Sequence, residues 1–159
     1  FYINSPLFAE KEIRTRAPES VDSILVCKSK HSMTLYEKGK AVKTYEVSIG
    51  AEPLGHKQQQ GDNRTPEGLY TIHDRNPHSR YYLNLGISYP NDKDRKEAAR
   101  RGVSTGGDIK IHGYSDSKGR TKERTTRFAY TWGCIGVCNE DMDEIFLWVK
   151  TGASILIIP

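Results

Sequence analysis

A chain of 159 residues, 36% of them hydrophobic and 28% charged, is long enough for one domain with a substantial core. Its mean hydropathy of -0.67, with no run near the ~20 apolar residues of a membrane span, excludes a transmembrane helix. The net charge of +4 is too modest, and the aromatics too poorly interleaved with basic residues, for a nucleic-acid binder.

Residues 1–21 carry mixed charge without a period and read as an N-terminal arm; residues 22–159 read as a single domain. The chain starts at Phe1, so the lack of a visible leader says nothing about export. Strand signals begin at Ser23–Lys28 and continue at Ser32–Glu37, where Met33 and Leu35 alternate with Ser32, Thr34 and Tyr36. Lys38-Gly39 reads as a tight turn into a third strand, Ala41–Ile49, which completes a β-meander. The polar stretch from Gly50 to Pro66 is a long loop, and loops of that length in small domains are usually functional. Gly68–Ile72 and Arg80–Tyr89 resume the strand pattern.

Asp92–Arg101 is the first good helix, capped by Asn91 or Asp92 and stopped at Gly102. Asp108–His112 is a short strand, and Ser115–Arg127 a charged loop. A second helix is predicted to start at an Asn139 N-cap, with Met142, Ile145, Phe146 and Val149 on one face and Gly152 just past its end. Ala153–Ile158 closes the domain as a strand. The fold class is therefore mainly β with two or three short helices.

The chemistry concentrates at Cys134 and His112. A cysteine beside a glycine, 22 residues after a histidine that ends an apolar strand, can form a nucleophile–base pair. The imidazole raises the thiolate fraction and returns the proton to a leaving amine. The amides of Gly133 and Cys134 are candidate oxyanion donors, at roughly 3 kcal/mol per donor. The competing reading is an inert buried thiol and a merely hydrogen-bonded histidine, and spacing alone leaves both open. A zinc site on Cys134, Cys138 and His112 lacks a fourth ligand and a common knuckle spacing, so neither metal nor cofactor is expected. Three cysteines do not make a disulfide scaffold, although Cys27 and Cys138 leave one pairing open. The basic run Lys118, Arg120, Lys122, Arg124, Arg127 suits either a solvated loop or a lip that attracts carboxylates. The pair Tyr81-Tyr82 reads as packing rather than as a platform for bases.

These residues resemble the L,D-transpeptidase (YkuD-type) catalytic domain. His112-Gly113 followed by Thr131-Trp132-Gly133-Cys134 is similar to the family's signature, and Gly61-Asp62-Asn63-Arg64-Thr65-Pro66-Glu67-Gly68-Leu69-Tyr70 to another of its segments. Ile87-Ser88-Tyr89-Pro90-Asn91 matches one branch, and the likeness covers roughly residues 22–158. It implies a β-sandwich or barrel with a loop cap over the cleft. It implies that Cys134 attacks an amide of a peptidoglycan stem peptide, with His112 as base and acid, oriented by a backbone carbonyl. Gly133 and Gly113 would give backbone support, and Thr131, Trp132, Tyr82 and Arg127 would face substrate. The thioacyl group would pass to a second stem, to an envelope lipoprotein, or to water in a carboxypeptidase. A fold-retaining module that only binds peptidoglycan is the remaining alternative. The periplasm or cell envelope is the implied location. Two departures stand out: Gly136 replaces an arginine common in the family, and the charged loop lengthens the spacing from His112 to Cys134.

Overall fold

The computed structural model describes residues 17–115 and 129–159. Among the described residues eight strands form one mixed sheet and two short strands form a second. The first three, β1 (Val21–Cys27), β2 (Ser32–Glu37) and β3 (Lys40–Glu46), are the predicted meander, antiparallel throughout. Their alternation is what the sequence shows: Ile24, Val26, Met33 and Leu35 are buried while their neighbours face outward. The third strand ends earlier than expected. The chain leaves the sheet after Glu46, bridges Gly136 through Ser48, and forms β4 (Ile49–Gly50) against β8 (Tyr130–Thr131). This exit carries the chain from the edge of the meander to the neighbourhood of Cys134.

The long β5 (Gly68–Ser79) pairs with β10 (Val149–Ile158) through its first half and with β6 (Tyr82–Ile87) beyond it. Next to β6 lie β7 (Lys110–His112) and then β9 (Ile135–Gly136). Only β1–β10 and β7–β9 within the large sheet run parallel. The core is an aliphatic cluster in which Ile72, Leu85, Ile111, Ile135 and Ile155 are fully buried.

Helix α1 (Asp92–Arg101) has the predicted Asn91 cap, with a reciprocal bond from Asp94 and a left-handed Gly102 behind it. It buries little apolar surface and is anchored instead by Asp94. That carboxylate accepts from His56 Nε2 at 2.9 Å and from Tyr70 Oη at 2.8 Å. Helix α2 (Asn139–Trp148) differs from expectation at both ends. Its N-cap is Cys138, whose side chain makes no cap bond, and the expected cap, Asn139, is the first helical residue with its side chain bonded to the Tyr114 backbone. At the other end β10 starts directly at Val149, and Gly152 lies inside that strand at φ +93°. Among the described residues no disulfide is formed, so Cys27 and Cys138 do not pair.

The loop from Ala51 to Glu67 is tied down from beneath. Lys28 Nζ, on a side chain only 2% exposed, donates to Gly55 O at 2.8 Å, Thr65 O at 3.0 Å and Glu67 Oε1 at 3.0 Å. Lys57 pairs with Asp62 at 2.8 Å inside the loop. Burial pushes the Asp62 carboxyl up, but the bonds from Lys57, Gln58, Gln59 and Arg64 outweigh it and hold it below the usual carboxylate range.

Candidate active site

Parallel pairing of β7 with β9 sets Ile111 beside Ile135 and His112 beside Gly136. The two isoleucines face the core, so alternation turns Lys110, His112, Cys134 and Gly136 toward the opposite face. His112 and Cys134 consequently line one cavity of about 310 Å³, walled by Tyr81, Tyr114, Tyr130 and Trp132. Cys134 and Trp132 also border a second cavity of about 440 Å³, beside Lys57, Gln60, Asn63 and Asp108. A larger hollow of about 640 Å³ lies under α1 and contains neither Cys134 nor His112. Its lining holds no cysteine, serine or threonine.

The imidazole is oriented by backbone. Its Nδ1 lies 2.5 Å from Gly113 O, which assigns the proton to Nδ1 and leaves Nε2 as the basic nitrogen. Tyr81 lies tilted against the ring at 5.1 Å, and Tyr114 stands edge-on at 5.9 Å. Burial pushes the His112 pKa down, and the bond to Gly113 offsets only part of that.

The cysteine sits on a turn that needs glycine before it. Gly133 has φ +134°, and a Cβ there would lie 2.7 Å from Arg64 O in the long loop. Thr131 stabilises the turn from inside: its hydroxyl donates to Cys134 O at 2.6 Å and accepts from Gly133 N at 3.1 Å. The thiol donates to Asp108 O at 3.3 Å. Burial pushes the Cys134 pKa up, and the Lys110 amide with the charges of Lys110 and Lys57 pulls back against it. Both shifts favour the uncharged forms, thiol and neutral imidazole.

The expected site residues make these contacts: the Gly133 amide is taken up by the Thr131 hydroxyl. Gly113 contributes its carbonyl to His112, while its amide donates to Leu83 O at 3.3 Å. Thr131, 8% exposed, lines the cavity of about 310 Å³ while its hydroxyl holds the turn. Trp132 is 87% exposed at the junction of the two cavities. Tyr82 lines neither cavity; its hydroxyl donates to Asp143 at 2.6 Å, and Tyr81 takes the position against His112. Arg127 and the rest of the basic run from Lys118 lie outside the described residues. Among the described residues no three His, Cys, Asp or Glu side chains are grouped to hold a metal.

Sequence reasoning missed Tyr81, Tyr114, Ser48 and the backbone of Asp108 and Lys110. Tyr114 was accessible by parity, since it follows His112 by two residues. Ser48 was not, because the bend after Glu46 has no strong turn signal.

The domain is β-rich, and it brings a cysteine on a turn and a backbone-oriented histidine at a strand end onto one cavity wall. The family can then be stated: residues 22–158 match the L,D-transpeptidase catalytic domain (YkuD), and the chain belongs to that family. It is 32% identical over 152 residues to YafK of Escherichia coli (strain K12), whose name places it among the L,D-transpeptidases; the match covers 91% of this chain and 53% of YafK. Among solved structures it is similar to the helical cell shape determining protein Pgp2 of Campylobacter jejuni, at 25% identity and a TM-score of 0.63, covering 92% of this chain and 52% of that one. Bd1075 of Bdellovibrio bacteriovorus follows at 29% identity and a TM-score of 0.59, covering 87% and 48%. The chain spans about half the length of these relatives.

Proposed function

We propose that this chain is the catalytic domain of a cysteine L,D-transpeptidase acting on peptidoglycan stem peptides in the cell envelope. The observation that carries the reading is the placement of Cys134 and His112 on one cavity wall, with Nδ1 tied to Gly113 and Nε2 left basic. In the first half-reaction Nε2 takes the thiol proton and Sγ attacks the carbonyl of the stem's diamino acid. The C–N bond breaks, and His112 returns the proton to the departing amine. The thioester carbonyl is then attacked by an acceptor amine from a second stem or an envelope lipoprotein. The C–S bond breaks, and the amine's proton returns through His112 to sulfur. Cavities on two sides of the thiol offer separate places for donor and acceptor, which favours transfer over hydrolysis.

Incubation with tetrapeptide muropeptides, followed by mass spectrometry, tests this. Dimers and a thioacyl adduct on Cys134 are expected, and Cys134→Ala should abolish both. Turnover retained in that variant would sink the assignment. Tripeptide monomers without dimers at high acceptor concentration would show an L,D-carboxypeptidase, and a folded protein without an adduct would show a binding module.

A further inference from the structure

Asn139 has the residue type of an N-cap but stands one residue inside the helix, behind the Cys138 N-cap. Its carboxamide reaches back to the strand exit after His112. Oδ1 accepts from Tyr114 N at 2.7 Å, and Nδ2 donates to Tyr114 O at 3.0 Å. This is the two-bond pattern of a paired strand residue, supplied by one side chain. The approach is close: a Cβ on Gly113 would lie 2.4 Å from Oδ1. The residue thus held is flanked on one side by the carbonyl that orients His112. It is fixed at its far end too. Tyr114 Oη lies 2.6 Å from Ser48 Oγ, in the space a side chain at Gly136 would fill: a Cβ there would lie 2.3 Å from Ser48 Oγ and 2.5 Å from Tyr114 Oη.

We propose that Asn139 is a positioning residue for the catalytic histidine, acting through the backbone of Tyr114 and Gly113, with the Tyr114 ring as a strut between Ser48 and His112. The inference rests on the reading of His112 as the base. A backbone carbonyl orients a base well only if its own peptide plane is fixed, and Tyr114 N is the other pole of the plane that carries Gly113 O. The double bond from Asn139 supplies that restraint. It also couples the start of α2 to the imidazole, so a shift of the helix shifts the base. Misplacement of a catalytic group by about 1 Å costs on the order of 10²-fold in rate.

The test is the rate of Cys134 alkylation by iodoacetamide between about pH 5 and about pH 10, where the thiol goes from protonated to ionised. The rate is read by mass at the peptide carrying Cys134, with melting temperature and tetrapeptide kinetics alongside. His112→Ala sets the floor: it lowers the rate near neutral pH and leaves the high-pH rate, where the thiol ionises unaided. Asn139→Ala should lower the neutral-to-high-pH rate ratio about tenfold, and kcat by up to about 10²-fold with KM within about twofold. Asn139→Asp keeps the acceptor for Tyr114 N and should recover part of both. A role only in stability would lower the melting temperature and leave the rate ratio at its wild-type value. That result overturns the proposal. If Asn139→Ala does not fold, Asn139→Asp decides by the same ratio: a reduced value supports positioning and a wild-type value overturns it. A wild-type ratio in His112→Ala would instead show that the base assignment itself is wrong.

Discussion

Replacing Lys28 by Met keeps the volume of the side chain and removes its three hydrogen bonds. Gly55 O and Thr65 O lose their donor, and Glu67 loses its counter-charge. Breaking a buried ion pair from one side typically costs about 3–5 kcal/mol, mostly because the remaining charge is stranded. Glu67 keeps 20% of its side chain exposed, so water can relieve it and the lower end, about 3 kcal/mol, applies. For a chain of this length that corresponds to a fall in Tm of roughly 6–12 °C. Urea denaturation and a thermal melt read both numbers. The loop held by Lys28 also places Arg64 O against Gly133, so Cys134 should become more readily alkylated well below the melting transition. Glu67→Gln retains an acceptor for Lys28 and should lose less than half as much stability. A loss below about 1 kcal/mol in Lys28→Met would refute the argument, because it would mean that the ammonium's desolvation cancels its three bonds.

Two further outcomes follow from the site. Gly136→Ala drives a methyl into the Ser48–Tyr114 pair and should cost about 1–3 kcal/mol; Ser48→Ala removes the nearer of the two oxygens, so the double variant should couple by at least about 0.5 kcal/mol, and strictly additive stabilities would contradict the steric account. His112 has a depressed pKa in the folded chain, so below about pH 6.5 the unfolded chain binds more protons and stability falls as pH drops toward the folded value. His112→Asn should remove that part of the pH slope in urea titrations at about pH 5 and pH 7.5, and unchanged slopes would count against the buried neutral imidazole.

Local signals carried much of the fold. Alternation at Met33 and Leu35 and the Asn91–Gly102 frame of α1 are decided within a few residues, and the structure has them in place. What failed was long-range. Asn139 has an N-cap's local pattern, but Tyr114, 25 residues away, competes for the same side chain and wins. Tyr82 and Tyr81 are indistinguishable by type, and the left-handed backbone at Tyr82 (φ +75°) decides which ring meets His112. Lys28 showed in the sequence only as the end of a strand signal, because its partners include loop carbonyls that no residue type announces. The candidate pair, Cys134 and His112, was visible because their flanking glycines and apolar runs are local. Their support was not, since it comes from backbone atoms of Asp108, Lys110 and Gly113.

The β7–β9 pairing has an evolutionary corollary. Backbone bonds and the Asn139 carboxamide fix the chain up to Tyr114, and the β4–β8 pairing takes hold again at Tyr130. Both ends are held by main-chain bonds and one carboxamide, so cavity-lining side chains such as Tyr81 and Trp132 can be exchanged without altering the spacing of thiol and imidazole. Variation of the cavity wall is thereby separated from the frame that carries the pair.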